Sequence, residues 1–147
     1  MNYQVLNSTV DDCEAAIVAE FAKGPWMIEA CLHTYQSGAI HNALLAAIPG
    51  CYWVQLVFDR KNRFLEDIRL QELADAGAEI RIDTFERSLR SQFIVIDYVT
   101  SITGSYLYSI PYNSRYSADL QIQDDGGMTS SYNLIWLYHW DHSLPWP

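Results

Sequence analysis

The stretch Ser88–Ser109, SLRSQFIVIDYVTSITGSYLYS, decides how this chain is read. Two β-rich runs, Gln92–Tyr98 (QFIVIDY) and Ser101–Tyr106 (SITGSY), flank a short turn, a pattern that predicts a pair of adjoining strands. Side chains alternate across a strand, so positions 90 and 92 share a face. Asp97, an odd number of steps from both, faces away or lies in the turn. Gly104 predicts a place where two backbones approach closely.

Working outward, Val10, Cys13, Ile17 and Phe21 recur at helical spacing behind Ser8 and Thr9 as caps, and Gly24-Pro25 ends the pattern. Trp26–Tyr35 reads as a buried strand. Ser37 caps an Ala/Leu-rich helix through His41, Leu44, Leu45 and Ile48, stopped by Pro49-Gly50. Cys51–Phe58 is a second strand, Asp59-Arg60-Lys61-Asn62-Arg63 a charged turn and the one dense basic patch, and Phe64–Ala76 an amphipathic helix with Gly77 just past its end. Glu79–Ile82 is a short third strand. Beyond the deciding stretch, a Pro/Asn/Ser/Tyr loop over 110–117 leads to a strand at Ala118–Gln123. Asp124-Asp125-Gly126-Gly127 then opens a final helix with Tyr132, Ile135, Trp136 and His139 on one face, and the tail Pro145-Trp146-Pro147 frays. The order αβαβαβββα predicts a single α/β domain over residues 1–147, a mixed β-sheet flanked by helices on both faces.

Composition narrows the classes. With 147 residues, 50% of them hydrophobic, the chain can bury one ordinary core. Its three cysteines, Cys13, Cys31 and Cys51, have no metal-site spacing and read as reduced core residues of a cytoplasmic protein. No leader or membrane-spanning run is visible, so neither export nor membrane insertion is expected. Nine basic against eighteen acidic residues give a net charge of −9, which disfavours broad nucleic-acid binding. Five Trp and ten Tyr suggest an aromatic protein-protein interface in addition to the core.

The deciding stretch resembles the signature of the phospholipase D-like phosphodiesterases, His-x-Lys-x4-Asp followed by Gly-Ser-x-Asn. Met27–Gln36 and Leu73–Arg81 resemble that family's flanking elements, and the likeness runs from about Val10 to His142. It is most similar to the short bacterial endonucleases that carry one signature per chain and complete their site across a homodimer. Asp97, Gly104 and Ser105 match the pattern. Arg90 stands in place of its histidine, Gln92 of its lysine and Leu107 of its asparagine.

The resemblance implies a chemistry that these exchanges remove. In the family one histidine attacks phosphorus, a second protonates the leaving oxygen, lysine and asparagine hold the nonbridging oxygens, and no metal takes part. An arginine stays protonated and offers no lone pair, and a glutamine offers no cation. The resemblance therefore implies a degenerate site without cofactor or metal, in a homodimer that binds, inhibits or assembles with another protein. Arg90, Gln92, Ser105, His33 and Tyr35 are expected to line a remnant anion-binding pocket, with Arg90 of both subunits converging on it. The alternative is a divergent phosphodiesterase or nuclease in which His33 substitutes as the acid, although a lone histidine at a strand end is commonly hydrogen-bonded and structural. His41 is expected in solvent. His139 and His142, close to the fraying tail, are not expected to be catalytic.

Overall fold

The computed structural model describes residues 2–59, 67–85 and 91–146. In chain order the elements are β1 (Tyr3–Asn7), α1 (Cys13–Ala22), β2 (Met27–Leu32), α2 (Gly38–Ala47), β3 (Trp53–Asp59), α3 (Asp67–Ala76), β4 (Glu79–Asp83), β5 (Phe93–Ile96), β6 (Thr100–Thr103), β7 (Asp119–Gln123), α4 (Gly126–His142) and β8 (Leu144–Pro145). One eight-stranded sheet runs β1-β7-β6-β5-β2-β3-β4-β8. Its β2, β3 and β4 are parallel, linked by α2 and α3, and the remaining pairs are antiparallel.

The alternation of β2 explains the layers. Ile28, Ala30 and Leu32 pack with residues of α1, α2 and α3, including Ile17, Leu44 and Leu73, in the larger core. Met27 and Cys31 point the other way, onto Val57, Phe93, Val95 and the α4 residues Trp136 and Trp140. Helices thus cover both faces, and all six β2 residues are buried. This is the α/β sandwich expected from the element order.

Local chemistry sets the helix starts. Ser37 accepts the Ile40 N–H at 3.0 Å and caps α2, as its position predicts. For α1 the cap is Asp12, which accepts from Ala15 N, rather than Ser8 or Thr9; Val10 lies outside the helix and is exposed. Asp125 caps α4 through Gly127 N and Met128 N. On α4 the buried positions are Thr129, Trp136 and Trp140, so the inward face is rotated from the expected one and Ile135 is partly exposed.

Between β5 and β6 the chain reverses through Asp97 and Tyr98, with φ of 57° and 58°, and Val99 N donates to Ile96 O at 3.1 Å. Positive φ at both central residues is the geometry of a tight hairpin turn whose twist matches its strands. After β6, Gly104 has φ 124° and a Cβ there would overlap the Asp119 carbonyl. Only glycine fits that approach.

Two strands were not expected. Residues 3–7 form the edge strand β1, paired antiparallel with β7. The tail does not fray: Ile82 pairs with Leu144 and Arg81 with Pro145, and Trp146 N donates to Ile80 O at 3.0 Å. The predicted basic turn at 60–63, the start of the third helix at Phe64 and Arg90 lie outside the described residues.

Candidate functional site

The parallel strands β2, β3 and β4 end at one edge of the sheet, where β5 begins. The carboxyl ends of parallel strands are the customary ligand edge of an open α/β sheet. His33 follows β2 here, Asp59 and Asp83 end β3 and β4 as register neighbours, and Gln92 precedes β5.

Gln92 is a clip. Its Oε1 accepts from His33 N at 2.9 Å and Thr34 N at 2.7 Å, and its Nε2 donates to Tyr106 O at 3.1 Å. The side chain joins the end of β2 to the segment after Gly104. It is therefore turned to the backbone rather than displayed to a ligand, a correction to its expected place in an anion pocket. His33 is part-exposed, with Nδ1 3.1 Å from Thr34 Oγ1 and Nε2 3.7 Å from Asp59 Oδ2. The buried Asp59 carboxylate thus faces the ring.

The other expected residues separate from this pair. Tyr35 is 2% exposed, and its hydroxyl lies 2.7 Å from His41 Nδ1, with burial pushing the phenol pKa upward. It is a core residue because the chain beyond β2 turns inward and bridges to Tyr108. His41 is likewise buried, with Nε2 3.5 Å from a Glu72 carboxylate oxygen, and is not in solvent. Ser105 is exposed and accepts from Asp119 N at 3.0 Å, which supports the close strand crossing. Leu107, at the asparagine position, is 40% exposed and offers no polar group. Arg90 lies outside the described residues.

Asp97 sits at the opposite end of β5. Its Oδ1 accepts from Trp26 N at 2.8 Å and Met27 N at 3.1 Å, capping the entry into β2. The thiols are chemically quiet: burial, aided by nearby aspartates, pushes Cys13 up to about 11, and burial also raises Cys31 and Cys51.

Sequence reasoning missed one cluster. Asp83 Oδ2 lies 3.2 Å from His139 Nδ1 and 3.0 Å from His142 Nε2. Far from a frayed end, both histidines occupy the last turn of α4, which the docked tail holds. Their i, i+3 spacing was a visible hint that they share a helix face, whereas Asp83 is distant in sequence. Burial works to raise the Asp83 carboxyl, but hydrogen bonds from His142, Phe85 N and His139 outweigh it and hold it below the usual range.

The chain matches no protein-family model. Over 124 residues, 84% of this chain, it is 26% identical to a phospholipase D of Rickettsia typhi, and the match spans 61% of that protein. The phospholipase D family member Nuc from Salmonella typhimurium superposes with a TM-score of 0.85 at 19% identity, covering 99% of this chain and 97% of that one. NucT from Helicobacter pylori superposes at 0.76 and 10% identity, covering 99% and 100%. No helix among the described residues is long and apolar enough to cross a membrane. Sequence relatives named phospholipase D and a fold shared end to end with Nuc agree with the signature-like Asp97, Gly104 and Ser105, and the chain has a phospholipase D-like fold.

Proposed function

We propose that this chain is a catalytically degenerate phospholipase D-like protein, acting as a homodimeric binding or assembly module rather than as a phosphodiesterase. The observation that carries this reading is Gln92: the residue at the family's lysine position is uncharged and holds the backbone of His33, Thr34 and Tyr106. Leu107 removes a second phosphate-holding group, and Arg90 cannot serve as nucleophile or acid near neutral pH. General acid-base and nucleophilic catalysis are each worth orders of magnitude in rate, so their joint loss leaves almost nothing of the familial mechanism.

The partner is argued from surface chemistry. A chain carrying −9 is matched by a basic or apolar protein surface rather than by nucleic acid. The anion-binding expectation now rests on Arg90, His33 and Ser105, because Tyr35 is buried away and Gln92 faces the backbone. The experiment is hydrolysis of an activated phosphodiester and of plasmid DNA by chelator-treated protein, with background rates expected for both. Metal-independent turnover abolished by His33→Ala would instead establish the alternative, an enzyme with a rearranged site.

A further inference from the structure

Asp83, His139 and His142 form a cluster that the degenerate phospholipase D site does not use. We infer that these three residues bind a divalent transition-metal ion of the zinc class, joining the end of α4 to the end of β4.

The geometry carries the assignment. One oxygen of Asp83 faces both imidazoles at 3.0 and 3.2 Å, and all three donor atoms lie within 4.8 Å of one another. Ligands about 2.1 Å from a tetrahedral zinc ion are separated by about 3.4 Å, so small shifts admit the ion. Two imidazole nitrogens and one carboxylate oxygen suit zinc, cobalt or nickel better than magnesium or calcium. A fourth position remains for water or a ligand.

The support around the cluster is ordered. Asp83 Oδ1 accepts from Phe85 N at 3.0 Å, which leaves Oδ2 aimed at the rings. Phe85 stacks on His142 with ring centroids 3.6 Å apart and planes 13° apart, while Tyr138 meets both histidines edge-on. Such outer contacts fix the orientation of metal ligands. The histidine side chains are 16% and 13% exposed, so an ion can reach them. In the free chain His139 Nδ1 and His142 Nε2 donate to the Asp83 carboxylate, so binding requires each ring to give up that proton, to solvent or by a shift to its other nitrogen, before a bare nitrogen faces the ion; no redox step is needed.

The test uses tag-free, chelator-treated full chain, titrated with Zn2+ by calorimetry and with Co2+ by visible absorption. One ion per chain is expected, with intense cobalt bands of a four- or five-coordinate site and a rise in melting temperature. The Asp83→Asn/His139→Gln double variant should lose both signals, while His33→Gln keeps them. Because the double variant could misfold, the imidazole 15N shifts of His139 and His142 are followed in the wild-type chain during the zinc titration, and both should move at one equivalent. Absence of stoichiometric binding by the wild-type chain, unmoved His139 and His142 resonances, or undiminished binding by a folded double variant overturns the assignment. Each readout is independent of phosphodiesterase activity, so the site can stand or fall without the proposed loss of catalysis.

Discussion

Gln92 and Asp97 flank one strand and serve opposite ends of it. Asp97 accepts the two N–H groups that start β2, and Gln92 accepts the two that follow its end. Truncating either leaves backbone donors short of partners, a loss of about 1–3 kcal/mol for a buried group. Gln92→Ala and Asp97→Ala should each lower unfolding free energy by about 2 kcal/mol in denaturant titrations, and a neutral result would show that neither clip matters. Gln92→Lys should destabilise as well and restore no turnover, since Arg90 and Leu107 still differ from the signature. Asp97 and Gly104 were legible in the sequence because a period of two and a requirement for positive φ act within a few residues. Tyr35 and His41 were not, because their burial depends on where the chain goes after the strand ends, which no local pattern states.

At the scale of elements, β2 carries one charged residue among apolar ones. Glu29 is buried at mid-strand, where Trp53 Nε1 and Asn133 Nδ2 donate to its carboxylate. Burial raises its pKa above the ordinary 4.5, and the two hydrogen bonds offset this only in part. Between the ordinary and the raised value the folded state holds more protons than the unfolded one, so this group makes stability fall as pH rises through that window. Glu29→Gln should remove the trend: the stability of the variant relative to wild type should grow as pH climbs from about 4.5. Parallel pH-stability curves would contradict the assigned cause. The inner strands were readable because each buries a largely apolar run. By contrast β1 and β8 are short edge strands whose pairing partners, β7 and β4, lie far off in sequence, and Arg81 reaches the end of α4 through Trp140 O at 2.7 Å and the Trp140 ring. Such pairings follow from tertiary closure and leave little trace in periodicity.

For the whole molecule, the proposed dimer carries twice −9, so its contact must be dominated by apolar and aromatic burial with acidic groups toward the rim. Not every tyrosine is available to the aromatic interface that the composition suggests: Tyr106 and Tyr108 are core residues, while Leu107, Tyr112 and Tyr116 stay exposed. Tyr116, 77% exposed, is the position at which a charge can report on association without disturbing the fold, whereas a charge at Tyr108 would be buried. Light scattering should give about twice the 16.9 kDa chain mass, insensitive to salt or rising with it, and Tyr116→Glu should shift it toward monomer. A monodisperse wild-type monomer at high concentration would remove the shared cleft. The central claim, a phospholipase D scaffold without its nucleophile, is met most directly by rapid-quench kinetics with an activated phosphodiester and stoichiometric, chelator-treated protein. The account predicts no burst of leaving group and no acid-labile phosphohistidine, and a burst approaching one equivalent per active site would contradict it.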